Sequence, residues 1–159
     1  MRILKNYNEI ITYPYSNNHE AIDVVGNNNG VHVLDYITAY DKGKVVEIRK
    51  DSVGFEDNGS YGNYVLIDHG NDLKTRYAHL NTVNVNINDI VNRGDILGYM
   101  GETGYAFGGH LHFEMIKNGK KIDPTKYIFE ENPRLIFTCP EDGIYYINLN
   151  KDSKLYYKN

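Results

Sequence analysis

The sequence predicts a mainly β protein with an antiparallel sheet core and little helix. Windows of about 11 residues show no helical recurrence of apolar positions, whereas short alternating runs bounded by turn residues recur every 8–12 residues or so. Composition points the same way: the 159 residues include 15 tyrosines, no tryptophan and 15 glycines spread as punctuation. Strands at this spacing fit hairpins and meanders better than alternating βαβ units.

Taken in order, Lys44–Arg49 alternates as a first strand. Asn63–Asp68 forms a second, closed by the turn-like His69-Gly70-Asn71-Asp72, with Leu73–Leu80 as its hairpin partner. Ile96–Met100 and His110–Lys117 are two more, and Asn118-Gly119 after the latter is a tight-turn signal. The one helical turn expected is Asp123–Tyr127, with Asp123 at the cap and Pro124 at the first helical position. A boundary falls at Glu130–Pro133 and divides residues 1–130, a domain able to bury a core, from 131–159, a short β-rich extension. Within the extension, Tyr145-Tyr146 and Tyr156-Tyr157 flank the polar stretch Asn148–Ser153 and read as a hairpin.

Bulk properties exclude several classes. At 41% hydrophobic and 24% charged residues the chain can build a core. No apolar run approaches the roughly 18 residues needed to span a bilayer. A net charge of −4 argues against nucleic-acid binding and gives no attraction to an anionic surface. The single cysteine, Cys139, forms neither an internal disulfide nor a thiolate metal cluster. Met1–Asn18 lacks the hydrophobic stretch of a signal peptide, so the protein is expected to stay in its producing cell until released, or to have lost a leader.

The histidines carry the chemistry. In a strand, residues i, i+2 and i+4 share a face, so His110, His112 and Glu114 lie together while Leu111, Phe113 and Met115 face the core. Paired neutral imidazoles suit a transition metal. In His19-Glu-Ala-Ile-Asp23, an extended chain would place His19, Ala21 and Asp23 on one face. Two imidazoles and a carboxylate form a zinc set that leaves a coordination position open. His79 closes Tyr77-Ala-His-Leu80; His69 reads as a support for its turn, and His32 as a surface residue. Each pattern alone is common by chance; their combination and order give them weight.

His19-x-x-x-Asp23, Asp41-Lys-Gly-Lys-Val45, Tyr61-Gly-Asn-Tyr-Val65, Ile67-Asp-His-Gly70, Tyr77-Ala-His-Leu80, Val91-x-Arg-Gly-Asp95, Gly101-Glu-Thr-Gly104 and His110-Leu-His-Phe-Glu114 follow one another in that order. The series, from about Thr12 to Tyr127, closely resembles the lysostaphin/LytM family of zinc metallopeptidases, which cut peptide cross-links of bacterial peptidoglycan. The resemblance implies a groove bordered by loops, Zn2+ held by His19, Asp23 and His112, and two uncoordinated catalytic histidines, His79 and His110. It also implies an assisting tyrosine, for which Tyr13 is the candidate and Tyr15 the rival. Ala21 stands where the family usually has Gly. Gly109 stands where it usually has Pro, which predicts a looser Tyr105–Gly109 loop.

The expected partner is a wall peptide, seated between the Gly101–Gly109 loop, with Tyr105 and Phe107, and the polar Asp51–Ser60 loop. The missing leader and compact length suggest a phage lysin, acting at the cell wall after release or as a virion component. The extension could then meet a virion or tail partner. The alternative within the fold is a non-catalytic wall-binding or regulatory domain. A biotinyl- or lipoyl-carrier reading of Val91–Gly98 fails, because no lysine lies between Lys74 and Lys117 for modification. Serine or cysteine hydrolysis fails too: G-x-S-x-G is absent, and Cys139 lies far from the histidines along the chain.

Overall fold

A computed structural model describes residues 2–56, 60–129, 134–139, 143–148 and 155–156. The strands are β1 (Asn8–Tyr13), β2 (Ile22–Asn28), β3 (Val31–Val33), β4 (Tyr36–Thr38), β5 (Gly43–Arg49), β6 (Asn63–Asp68) and β7 (Leu73–Val83). They continue with β8 (Ile90–Val91), β9 (Ile96–Met100), β10 (Leu111–Lys117) and β11 (Lys120–Ile122). The short helix α1 (Thr125–Phe129) follows, then β12 (Arg134–Cys139), β13 (Gly143–Asn148) and β14 (Leu155–Tyr156). They join one sheet whose main path runs β14-β13-β12-β1-β2-β10-β7-β6-β5-β8. The described pairings are antiparallel except β1 with β12.

The mainly antiparallel expectation holds. Asn63–Asp68 and Ile96–Met100 match their predicted limits. Asn118 and Gly119 both adopt positive φ and close the β10–β11 hairpin in two residues. The Asp123 carboxylate accepts the Thr125 amide hydrogen at 2.9 Å, opening α1. Strands β1 to β4 were not anticipated. In β1 the neighbours Ile10 and Ile11 are both buried, as are Val24 and Val25 in β2. A strand covered on both faces shows no alternation to read. The C-terminal hairpin reading matches β13 and β14, which pair Tyr146 with Tyr156, but β12 is added parallel to β1. The boundary Glu130–Pro133, the stretch 149–154 and Tyr157 lie outside the described residues. Among the described residues no helix is long and apolar enough to cross a membrane.

What matters for function is the centre of the sheet. Strand β10 lies between β2 and β7, pairing His112 with both Asp23 and Ala78, and Phe113 with both Ile22 and Tyr77. The Ile22, Phe113 and Tyr77 row is buried in the core with Leu111 and Met115. By alternation, the row Asp23, His112 and Ala78 occupies the other face. Phe113 and Tyr77 rings pack edge to face at 5.2 Å, anchoring the register that sets the polar row opposite.

Candidate active site

Asp23 and His112 are brought together by strand pairing, and His19 by a turn. The His19 and Glu20 amides both donate to the Ser16 carbonyl, at 3.1 and 2.8 Å, and Glu20 has φ 44°. The stretch is therefore not extended as expected, yet the turn sets His19 Nε2 3.2 Å from Asp23 Oδ1. His112 Nδ1 lies 3.1 Å from the same oxygen. The three donor atoms fall within 4.8 Å of one another. The His19 Nδ1 atom is buried without a partner among the described residues. The ring is instead held edge to face between Tyr13, at 4.7 Å, and His112, at 5.1 Å.

This set fits a zinc ion. Zinc bonds to nitrogen and oxygen of about 2.0–2.1 Å, arranged tetrahedrally, put neighbouring donors about 3.3–3.4 Å apart, close to the two spacings found. Two imidazole nitrogens facing one carboxylate oxygen can each donate an N–H to it, or share a cation with it. Burial alone would raise the Asp23 carboxyl, but hydrogen bonds with His112 and His19 hold it well below the usual carboxylate range. Burial alone would lower His112, but Asp23 and Glu114 raise it. The site thus favours a cation, be it proton or metal.

His79 and His110 stand beside the donors but outside the set. Their ring centroids lie 4.9 Å apart, and His79 is 5.5 Å from His112. The Nδ1 atoms pair with carbonyls, His79 with Thr103 at 2.7 Å and His110 with Gly108 at 2.8 Å. A carbonyl only accepts, so each Nδ1 carries the hydrogen and, in the neutral ring, each Nε2 keeps a lone pair. The Nε2 atom of His110 is 3.7 Å from Asp23 Oδ2. Burial, then the charge of His110, push His79 down to about 4, leaving it neutral at neutral pH.

His79 reaches the site through a backbone irregularity. Between Asn63↔Leu80 and Val65↔Tyr77, β7 uses one residue more than β6, and His79 there has φ 62°. Without this bulge, alternation would send His79 to the core face beside Tyr77; with it, Leu80 takes the core position and His79 turns to the cavity. Nearby, two loops cross with backbones in contact. A Cβ on Gly62 would lie 2.3 Å from the Thr103 carbonyl carbon, and one on Gly104 would lie 2.3 Å from the Gly62 nitrogen. Buried Asn63 ties the crossing to β7: its backbone amide donates to Thr103 Oγ1 at 2.9 Å and its side chain to the Leu80 carbonyl at 3.1 Å.

These groups open onto a cavity of about 610 Å³. Tyr13 lines it, whereas the Tyr15 hydroxyl donates to the Lys121 carbonyl at 3.2 Å and its ring packs on the core, which favours Tyr13 of the two candidates. Tyr105 and Phe107 form a wall as expected, and Phe55 joins them with ring centroids at 5.6 and 5.3 Å. From the Asp51–Ser60 loop, Ser60 reaches the cavity; residues 57–59 lie outside the described ones. Gly109 packs on Leu34, where a Cβ would come within 2.6 Å of Leu34 Cδ2, so the neighbouring side chain fills the space at this end of the loop. His32, exposed as read, also lines the cavity. His69 supports its turn through the Lys42 carbonyl at 2.9 Å and Thr75 Oγ1 at 2.8 Å. Sequence reasoning missed Thr103, Tyr61, Arg76 and Lys121, which reach the site only through sheet order and loop crossing. Period-2 alternation marked Glu114 but suggested no partner for it.

If the bulge at His79 is strained, removing its Cβ relieves it. His79→Gly is expected to be more stable than His79→Ala by about 1 kcal/mol in urea unfolding, the reverse of the order at an ordinary strand position. Equal or reversed stabilities would show that no strain is stored there.

Comparison with known proteins gives the family and the fold. The family model for Peptidase family M23 matches residues 17–124, which include His19, Asp23, His79, His110 and His112. The chain is 45% identical over 65 residues to the peptidoglycan DD-endopeptidase ShyA of Vibrio cholerae, covering 41% of this chain and 15% of that protein. It is 32% identical over 102 residues to lysostaphin of Staphylococcus staphylolyticus, covering 59% and 20%. It therefore spans a fifth or less of these relatives' length. Among solved structures, the catalytic domain of lysostaphin from Staphylococcus simulans superposes with a TM-score of 0.56 at 28% identity, covering 77% of this chain and 92% of that one. With a matching family model over most of its length and the same fold as that catalytic domain, the chain belongs to Peptidase family M23.

Proposed function

We propose that this chain is a zinc metalloendopeptidase that hydrolyses peptide cross-links of bacterial peptidoglycan. The observation that carries the reading is the gathering of His19 Nε2, Asp23 Oδ1 and His112 Nδ1 on one cavity wall, with two further imidazoles beside them. Those three atoms would hold the ion, and residues 1–130 would form the peptidase domain, with 131–159 as an extension. Bound there, zinc supplies Lewis acidity, which polarises a carbonyl and lowers the pKa of water toward about 7.

The remaining steps belong to side chains. His79 and His110, each with Nδ1–H committed to a carbonyl, offer Nε2 lone pairs that take the proton of the attacking water and return it to the departing amine. Once protonated, either imidazole also stabilises the negative charge that develops on the carbonyl oxygen. Tyr13, packed on His19 at the cavity, is a further hydroxyl for that oxygen. The wall of Phe55, Tyr105 and Phe107 offers apolar contact to the small side chains of a cross-linking peptide. The similarity to ShyA, a peptidoglycan DD-endopeptidase, supports this substrate class. A purely wall-binding domain of the same fold would need neither the full donor set nor two oriented imidazoles outside it.

The test is digestion of defined peptidoglycans by the zinc-loaded protein, with the fragments identified by mass spectrometry. New amino termini within the peptide bridges are expected, and their positions name the bond cut. His110→Ala should slow cleavage by roughly 10²–10⁴-fold while still holding one zinc per chain. Phe107→Ala should raise KM with kcat little changed, as for loss of uniform binding. Digestion by His110→Ala at the wild-type rate, or intact peptide bridges after treatment with wild-type protein, would overturn the reading.

A further inference from the structure

The Glu114 side chain is completely buried, at 0% exposure, directly behind the donor set. A carboxylate tolerates such burial only when it is thoroughly paired. Its Oε1 accepts from Lys121 Nζ at 2.7 Å and from the Tyr61 hydroxyl at 2.8 Å, and its Oε2 from Arg76 Nη1 at 3.1 Å. The Arg76 guanidinium lies 4.3 Å over the Tyr61 ring and 5.5 Å over that of Tyr64, which fixes the cation in place. The remaining contact of Oε1 is His112 Nε2, at 3.3 Å.

Two cations and a phenol around one buried carboxylate keep it ionised, and an ionised carboxylate can only accept. His112 must therefore donate through Nε2. That leaves Nδ1, the atom 3.1 Å from Asp23 Oδ1, as the nitrogen whose lone pair faces the cavity when a cation sits there. Sheet register builds the arrangement: Glu114 shares the face of His112 two residues on, and pairs across β7 with Arg76. A buried ion cluster of this size adds little net stability over apolar residues of the same volume, so its value lies in what it orients.

We propose that Glu114 is a positioning residue that fixes His112 in the Nε2–H tautomer and so sets the metal affinity of the site, with Tyr61, Arg76 and Lys121 holding Glu114 in place. The proposal rests on the reading of His19, Asp23 and His112 as a zinc centre. Glu114→Ala is expected to weaken zinc binding roughly 10- to 100-fold, measured by competition with a chromophoric chelator. Glu114→Gln, whose amide oxygen still accepts, should fall between that variant and wild type. Long-range ¹H–¹⁵N spectra of the metal-free proteins should show His112 Nε2 fully protonated in wild type and its proton shared between Nε2 and Nδ1 in Glu114→Ala, a change that a purely structural role would not produce. If Glu114→Ala does not fold, Glu114→Gln decides. Wild-type affinity with an unchanged tautomer in the folded variants overturns the role of Glu114 alone. Failure of wild-type protein to bind zinc overturns the metal centre itself, and this role with it.

Discussion

One oxygen of Asp23 faces two imidazole nitrogens, at 3.1 and 3.2 Å, and the rest of the site is arranged around that convergence. Each ring reaches that oxygen either by donating its N–H or by sharing a cation with it, and both arrangements need the same convergence. Half of the convergence is set by β-sheet register, since Asp23 and His112 are direct cross-strand partners. The other half depends on the Ser16–Glu20 turn, which folds His19 back over β2. The core beneath is what keeps the register: a slip of one residue between β2 and β10 would exchange Ile22 and Phe113 for the polar row above them.

Around this centre the structure places two kinds of support. Behind His112 stands a buried, charged cluster, Glu114 with Arg76 and Lys121, which meets that ring through the Glu114 carboxylate. Beside it, backbone carbonyls of Thr103 and Gly108 orient His79 and His110 without charge. The difference suits different tasks. A ring that holds a cation gains from a carboxylate behind it, which increases its basicity. A ring that shuttles a proton needs an Nε2 that can both take and release one, and a neutral carbonyl partner biases that equilibrium less.

Much of this was legible in the sequence, for a physical reason: the informative residues lie on strands with one apolar and one polar face, where period-2 alternation shows. Leu111, Phe113 and Met115 against His112 and Glu114 is such a case, and so is the Asn118-Gly119 turn. Strands buried on both faces were invisible, as Ile10-Ile11 and Val24-Val25 illustrate. So was the left-handed backbone at Glu20 and His79, where the tertiary structure enforces positive φ. Thr103, Arg76 and Lys121 could not be linked to the histidines from local pattern, because the contacts run across strand neighbours that sequence order does not reveal. The family resemblance, by contrast, rested on widely separated short motifs, and those bearing His19 and Asp23, Tyr61, His79, and His110 and His112 meet at the cavity.

The proposed zinc centre is built of two imidazoles and one carboxylate, with no other protein group. X-ray absorption spectroscopy of the zinc-loaded protein tests it most directly. The account predicts a shell of nitrogen and oxygen scatterers at about 2.0–2.1 Å with the outer-shell signature of two imidazoles and no sulfur. A third imidazole, which would enlist His79 or His110 as a ligand, or a sulfur scatterer from Cys139, would contradict it.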